Sequence, residues 1–327
     1  MMIVRALVIG AALTLGSCGI WADKRAARME ASAEDRWPPV GRFVTEGAVR
    51  VHYVQDGTGP DVVLIHGAGG NLRDFTFSLM PRLVEAGYRV TAFDRPGLGY
   101  TGRVDPAYDR AFAPSAETPQ EQAALLAGAA KQLGVDTPVV LGHSFGGAVA
   151  MAWGLEHEAS AIVSVAGVAM PWPGELGAYY KVLGSSVGGA LVPPLVTAST
   201  DPMNTGDVLE GIFAPQSAPD GYLAHIGPGL SLRRDTLRAN ARQVNHLRPH
   251  MVALSERYPE MTLPVEFVHG DADTTVPLTV HANRAVSVLP RARVTVLEDI
   301  GHMPHHADED AILAAIERAL EHAGRSG

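Results

Sequence analysis

The chain has 327 residues, 46% of them hydrophobic and 19% charged, which is typical of a soluble globular core. Its formal net charge of -9, without a basic patch interleaved with aromatic residues, argues against a nucleic-acid-binding surface. The single cysteine excludes an internal disulfide framework and any cysteine-rich metal site.

The N-terminus has the pattern of an export signal. Arg5 precedes the apolar stretch ALVIGAALTL, which is too short to span a bilayer comfortably. The following letters, LGSC, resemble the lipobox of bacterial lipoproteins, in which Cys18 would be lipidated and would become the new N-terminus. This interpretation predicts a signal peptide over residues 1–17 and a lipoprotein on the periplasmic side, attached to the membrane by its lipid.

Two alternatives to lipidation remain for this segment: an ordinary signal peptide, or an uncleaved anchor in which Cys18 is only a small apolar residue. Lys24, Arg25 and Arg28 lie beyond the apolar stretch, and an uncleaved anchor would keep them on the cytoplasmic side. Residues 18–41 mix charges with alanine and end near a Pro-Pro pair. They are predicted to form a tether that includes one helical turn or more.

The first elements of the folded domain follow this tether. Residues 41–57 alternate apolar and polar side chains on either side of Glu46 and Gly47, a pattern that predicts a β-hairpin. Beyond it, apolar runs without alternation are separated by segments of helical spacing. Strands are predicted over 61–67, 88–94, 138–144, 159–167, 263–270 and 292–299, and helices over 79–87, 117–134, 145–157, 278–289 and 308–324. Such a succession is typical of a mostly parallel sheet that is buried on both faces.

The strand–helix rhythm is lost over residues 170–263, which are rich in glycine and proline. This stretch is predicted to be an insertion that covers the sheet. Its one strong helical pattern, residues 231–254, carries several arginines that predict a solvated charged face. The remaining residues, 42–169 and 264–327, are then the core of one α/β domain.

Residues 142–146, Gly-His-Ser-Phe-Gly, place a serine on a tight turn between a predicted strand and a predicted helix. In a nucleophile elbow the serine adopts strained backbone angles, and the flanking glycines avoid collisions with neighbouring backbone. The strain holds the Ser144 hydroxyl at a helix N-terminus, where the helix dipole favours developing negative charge. Ser144 is therefore the candidate nucleophile.

A serine hydroxyl needs a base, and the base needs a carboxylate that fixes its tautomer. His302 follows the last predicted strand, and Asp271 and Asp273 follow the strand before it. The chain order Ser…Asp…His is the order of the α/β hydrolases.

Four stretches carry a resemblance to that family: HGAGG, DRPGLGYT, GHSFGG and HGDAD…IGH, in this order. The chain resembles α/β-hydrolase-fold serine hydrolases, similar to their esterase and C–C-bond hydrolase branches, over about residues 42–320. The resemblance implies a doubly wound, mostly parallel eight-stranded sheet and a cap formed by residues 170–263. It also implies an active site that needs no cofactor.

The resemblance also assigns roles within the site. The acid is expected three residues past Gly270, at Asp273, with Asp271 as second choice and as a turn-capping carboxylate otherwise. The oxyanion donors are expected to be the backbone amides of Phe145 and Ala68. The turn containing Asp94 and Arg95, and the histidines 66 and 143, are expected to shape and orient the site.

The segment HMPHHADED gathers histidines and acids, and this raises the alternative of a metal site. Neither zinc-ligand spacing nor a helical His-Glu-x-x-His motif is present, so no metal is predicted. His305 and His306 are instead expected on a loop, with the acids in the first turn of the final helix, where the dipole favours them.

These features predict a hydrolase that acts on a small-molecule acyl substrate, with a carboxylic ester as the first choice. A C–C-bond hydrolase of ring-cleavage products would use the same residues, as would a cofactor-free haloperoxidase or perhydrolase. A nucleophilic aspartate, as in epoxide hydrolases and dehalogenases, is excluded by Ser144. An inactive binding module that retains the fold is the alternative from another class. The sequence does not indicate an oligomeric state.

Overall fold

The computed structural model describes the backbone of residues 2–324 and, within it, the side chains from residue 19 onward. One eight-stranded sheet with the order β1-β2-β4-β3-β5-β6-β7-β8 forms the centre of the fold. The strands are β1 Arg42–Glu46, β2 Val49–Asp56, β3 Asp61–Ile65, β4 Arg89–Phe93, β5 Val139–His143, β6 Ala161–Val165, β7 Val265–Gly270 and β8 Ala292–Leu297. Strand β2 pairs antiparallel with both neighbours, and the pairs from β4 to β8 are parallel. The predicted hairpin and doubly wound sheet are thus confirmed.

Helices flank the sheet on both faces and form the region above its carboxyl edge. Their bounds are α1 Met2–Arg36, α2 Arg73–Thr76, α3 Leu79–Glu85, α4 Pro119–Gln132, α5 Phe145–Glu156, α6 Ala178–Gly184, α7 Ser186–Ser199, α8 Gly206–Phe213, α9 Tyr222–Ile226, α10 Pro228–Ser231, α11 Arg234–Glu256, α12 Ala282–Ala285, α13 Pro304–Ala307 and α14 Glu309–Gly324. Short 3-10 helices occupy Pro106–Asp109, Pro202–Asn204 and Tyr258–Glu260.

Two apolar clusters explain why the central strands lack polar alternation. Every residue of β5, β6 and β7 is buried. On one face these strands pack under α4 and α5, where Trp153 is the largest fully buried side chain. On the other face they pack under α3 and α14, through residues such as Leu83 and Ile316. Burial on both faces requires continuous apolar strands, so the sequence pattern and the layered structure have the same cause.

The insertion is more helical than its sequence indicated. Helix α11 was predicted, but α6 to α10 were not. Helix α7 contains Pro193 and Pro194, which interrupt the sequence signal of a helix. The prediction of a solvated arginine face on α11 was wrong for Arg238 and Arg242, which are buried. Arg238 donates to the carbonyl of Gly189 within the insertion, whereas the Arg242 guanidinium donates to carbonyls of the 110–111 loop and so links the insertion to the core.

The predicted helix over 278–289 is mostly turn, because only Ala282–Ala285 is α-helical. The segment begins with Thr279 and Val280 and continues with Val286 and Val288. These β-branched residues lose side-chain freedom in a helix, which weakens the helical state there.

The segment predicted as a tether is helical up to Arg36 and is docked on the insertion. The Arg234 guanidinium of α11 forms hydrogen bonds of 2.6 to 2.9 Å with the Glu30 carboxylate and also pairs with Asp23. Trp37 is buried, and its indole N–H donates to the Ala224 carbonyl at 2.8 Å. Charged residues of the predicted tether, Glu30 and Glu34, are therefore partners of arginines more than 190 residues away.

Cys18 and the predicted signal segment lie outside the side chains that the structure describes. Within the described part of the chain, no single helix has both the length and the hydropathy of a membrane span. Helices α6 and α7 meet those two requirements only as a pair, which is bent by 105°.

Candidate active site

Ser144 sits at the sharp turn between β5 and α5, with φ 53° and ψ -118°. The flanking glycines are required by close backbone approach. A Cβ at Gly142 would lie 2.1 Å from the carbonyl oxygen of Gly146, and a Cβ at Gly146 would lie 2.1 Å from that of Ile65. Any larger residue at either position would therefore force the turn apart. The strained serine sits at the N-terminus of a buried helix, as the elbow pattern predicted.

A continuous hydrogen-bonded chain connects Ser144 to a carboxylate. Nε2 of His302 lies 2.9 Å from Ser144 Oγ, and Nδ1 of His302 lies 2.8 Å from Asp273 Oδ2. The carboxylate can only accept, so Nδ1 carries the proton and the lone pair of Nε2 faces the hydroxyl. The three residues are 8%, 5% and 5% exposed in chain order, which places the chain of bonds in a largely water-excluded region.

The carboxylate of Asp273 is held from several directions. Its Oδ1 accepts the amides of Thr275 at 2.8 Å and Val276 at 2.9 Å. Burial by itself raises the pKa of Asp273, but the interactions with His269 and His302 outweigh burial and hold that pKa well below its usual range. Asp273 is therefore a fixed anion opposite the imidazole.

Asp271, the second choice for the acid, has a different environment. It is exposed, and its carboxylate accepts the amide of Asp299, in the loop after β8, at 2.8 Å. Asp271 thus joins two neighbouring loops, and its role as a turn-capping carboxylate stays a prediction.

The loop after β3 lies directly against the serine. A Cβ on Gly67 would be 3.0 Å from the Cβ of Ser144, so the backbone of this loop packs closely against the serine side chain. Ala68 is the next residue, and its amide belongs to the same loop. Phe145 is the first residue of α5, where a backbone N–H has no acceptor within the helix. Both residues thus lie next to Ser144 in the chain or in space, and their amides stay the predicted oxyanion donors.

The oxyanion loop is held by two side chains that sequence reasoning missed. Asn240 of α11 accepts the Gly69 amide through Oδ1 at 2.7 Å, and Ser231 of α10 donates to the Gly69 carbonyl at 2.6 Å. Both come from the insertion, and no sequence signal connects residues that are 162 and 171 positions apart. The insertion therefore positions part of the site as well as covering it.

Arg95 secures the other side of this loop. Its guanidinium donates to the Gly67 carbonyl at 3.0 Å and to Gln243 of α11 at 2.6 Å. The same group lies 3.8 Å from the centre of the Phe145 ring, and burial lowers the pKa of Arg95 to about 9. Arg95 thus links the oxyanion loop, the elbow and the insertion.

Replacing Asn240 with alanine is expected to lower kcat by roughly tenfold with a smaller change in KM. The loss of one hydrogen bond costs about 0.5–1.5 kcal/mol, and the freed Gly69 amide loosens the neighbouring Ala68 donor. The measurement is steady-state kinetics on an activated ester, with Asn245→Ala on the same helix as the matched control. Asn240→Asp retains an acceptor and should restore most of kcat. An Asn240→Ala enzyme with unchanged kcat would contradict the positioning role.

The expectation of a loop at His305 and His306 was wrong. Both residues lie in α13, and their Nε2 atoms are 3.1 Å and 2.8 Å from the Asp74 carboxylate. Glu309 and Asp310 do occupy the first turn of α14. No sequence pattern near Asp74 indicates that its side chain faces α13, because α2 and α13 are more than 220 residues apart.

A surface cavity of about 690 Å³ lies away from this site. It is lined by residues of α4 and α5, including Lys131 and Trp153, and by none of Ser144, Asp273 and His302. We therefore do not regard it as the substrate site.

Comparisons with known proteins agree with this fold. A model of the alpha/beta hydrolase family matches residues 62–315. A 2-hydroxy-6-oxononadienedioate/2-hydroxy-6-oxononatrienedioate hydrolase of Pseudomonas sp. is 25% identical over 81% of this chain and 91% of its own length. A bacterial membrane phospholipase A has a similar structure, with a TM-score of 0.66 and 20% identity over 97% of this chain and 98% of its own. The esterase of Exiguobacterium antarcticum has a TM-score of 0.66 and 19% identity over 85% of this chain and all of its own.

Proposed function

The chain belongs to the alpha/beta hydrolase family, and from this premise we propose that it is a serine hydrolase that cleaves a carboxylic ester or a related acyl compound. The observation that carries the proposal is the chain of hydrogen bonds from Asp273 through His302 to Ser144. A strained serine at a helix N-terminus, with backbone donors beside it, is the arrangement that acyl transfer requires.

The proposed reaction proceeds through an acyl-enzyme. Ser144 Oγ attacks the carbonyl carbon while its proton passes to Nε2 of His302, and Asp273 stabilises the imidazolium that forms. The amides of Phe145 and Ala68 stabilise the negative oxygen of the tetrahedral intermediate. His302 then protonates the departing alkoxide. Water attacks the acyl-enzyme with the same histidine as base, and the acid product and free serine are released.

The test is turnover of a panel of chromogenic esters of increasing acyl length, run beside the Ser144→Ala variant. Ester turnover by the wild type that disappears in the variant supports the proposal. Inactivity of the wild type on every ester would contradict the choice of an ester.

A C–C-bond hydrolase is the second candidate, because a curated relative is a hydrolase of ring-cleavage products. Both reactions would use the same serine, histidine and oxyanion donors. A vinylogous 2-hydroxy-6-oxo acid is the discriminating substrate, since its coloured dienol form disappears when the C–C bond is cleaved. Turnover of that compound without ester turnover would favour the second candidate.

We also propose that the hydrolase is exported and remains attached to the membrane through its N-terminal segment. The lipobox at Cys18 supports this location. Helix α7, which packs on α1, adds three large apolar side chains on one face, Val187, Leu191 and Leu195, each more than half exposed. Such a face beside the anchor helix is suited to contact with lipid.

Cys18→Ala is expected to abolish lipidation and to shift the protein from the detergent phase to the soluble fraction. The acyl chains contribute about 0.8 kcal/mol per buried CH₂, and a net negative chain has no attraction to anionic lipid that could replace them. The measurement is phase partitioning of both proteins together with mass determination of the mature N-terminus. If the variant and the wild type partition identically and both begin at Met1, the segment is an uncleaved anchor.

A further inference from the structure

A second group of polar side chains lies under the proposed active site. Asp74 of α2, His143 at the end of β5 and His305 of α13 each point one ligand-type atom inward, and these three atoms lie within 4.8 Å of one another. Their exposed fractions are 6%, 4% and 0%. The reaction proposed above uses none of these side chains, so their convergence needs another explanation.

His143 presents a lone pair to this group. Its Nε2 lies 2.9 Å from the carbonyl oxygen of His302, which can only accept, so Nε2 carries the proton. Nδ1 is then an acceptor, and it has no hydrogen-bond partner among the described residues. The nearest charged atom is Asp74 Oδ2, at 3.8 Å. A positive centre between them would stabilise two acceptors that face each other in a buried region.

We propose that Asp74 Oδ2, His143 Nδ1 and His305 Nε2 bind a divalent transition-metal ion of the zinc type. Two imidazoles and one carboxylate suit zinc, whereas magnesium and calcium prefer oxygen alone. The oxygen lies 3.1 Å from the His305 nitrogen and 3.8 Å from the His143 nitrogen. Bonds of about 2.0–2.1 Å to a tetrahedral zinc ion place its ligands roughly 3.3 Å apart, between these two separations.

The surroundings of the three ligands have the features of an outer shell. His143 donates its other ring N–H to a backbone carbonyl, as metal-bound histidines do. The second oxygen of Asp74 accepts the Tyr222 hydroxyl at 2.7 Å and His306 Nε2 at 2.8 Å, so its orientation is fixed. Nδ1 of His305 has no hydrogen-bond partner among the described residues whether or not Nε2 binds a metal.

The ion has a structural consequence for the site above it. The metal ion would join α2, the end of β5 and α13, three segments that are far apart along the chain. Through His143 it would also fix the backbone carbonyl of His302. Chelation is therefore expected to lower thermal stability, and metal binding does not depend on the presence of Ser144.

The test is the metal content of the full chain, expressed without a polyhistidine tag in zinc-supplemented medium and passed over a chelating resin. We expect one zinc per chain in the wild type, in Ser144→Ala and in the control His250→Gln, a half-buried histidine of α11 outside the group. Asp74→Asn and His305→Gln should lose most of the zinc while circular dichroism shows a folded protein.

Growth with cobalt gives a second measurement that does not depend on the folding of a variant. A wild-type protein with the visible absorption of tetrahedral cobalt supports the site. Zinc content in the wild type no higher than in Asp74→Asn, or bound cobalt without that absorption, would overturn the proposal. The group would then be a metal-free network of hydrogen bonds between Asp74 and the histidines 305 and 306. Retention of zinc by Ser144→Ala separates this result from any failure of the proposed hydrolysis.

Discussion

Ser144→Ala is expected to lower kcat by at least about 10³-fold on any ester that the wild type turns over. Without the hydroxyl no acyl-enzyme can form, and the remaining rate comes from substrate binding and the oxyanion donors alone. KM should change little, because the hydroxyl contributes to the transition state far more than to the bound substrate.

The same variant should remain folded. Alanine keeps the Cβ and the backbone strain of the turn, and the lost hydrogen bond to His302 costs only about 0.5–1.5 kcal/mol. Ser164→Ala is the matched control, since Ser164 is a buried serine of β6 directly opposite Gly142 in the sheet. A fluorophosphonate probe should label the wild type and the control at Ser144 and should leave Ser144→Ala unlabelled. Labelling at a different serine would refute the assignment, and no labelling of the wild type would favour an inactive binding module.

The site residues that could be predicted from the sequence are those that lie just after the ends of strands. Ser144, Asp273 and His302 each follow a strand of one parallel sheet, so their order along the chain and the strand polarity bring them to the same edge. The glycines at 142 and 146 identified the turn because backbone contact leaves no alternative there. Local sequence was sufficient for these residues because local geometry determines their positions.

The side-chain contacts that could not be predicted from the sequence depend on packing between segments that are distant in the chain. Nothing near Asn240 indicates that its side chain accepts an amide of the loop at Gly69, and nothing near Asp74 points to α13. The arginines of α11 were predicted to be solvated because a helical charge pattern does not show which other segments pack against the helix. Arg242 is in fact buried and donates to carbonyls of the 110–111 loop. Sequence periodicity predicts which face is apolar, but the partners of buried polar groups follow from the tertiary fold.

Wild-type Asp273 should also contribute to stability in a pH-dependent way. Its folded-state pKa is depressed, so its contribution is present above the unfolded value of about 3.9 and is lost as the pH falls through the folded value. The difference in unfolding free energy between the wild type and Asp273→Asn should therefore be constant near neutral pH and shrink below about pH 4. Denaturant unfolding of both proteins across this range is the measurement. A difference that grows toward acid pH would contradict the depressed pKa.

Asp273→Asn is expected to reduce kcat by about 10⁴-fold, whereas Asp271→Asn should change it less than about tenfold. The asparagine oxygen can still accept the amides of Thr275 and Val276, so the turn is preserved. Its amide group would then face Nδ1 of His302 as a donor, which stabilises the tautomer whose Nε2 carries the proton and cannot accept one from Ser144. Asp271 is exposed and its carboxylate accepts an amide of the loop after β8, away from the imidazole, so its amide variant is the matched control. Both variants should be compared by kcat and KM on the best ester of the panel, with circular dichroism as a check of folding. The opposite ranking would mean that the acid lies two residues earlier, and the turn after β7 would have to rearrange to bring Asp271 to the imidazole.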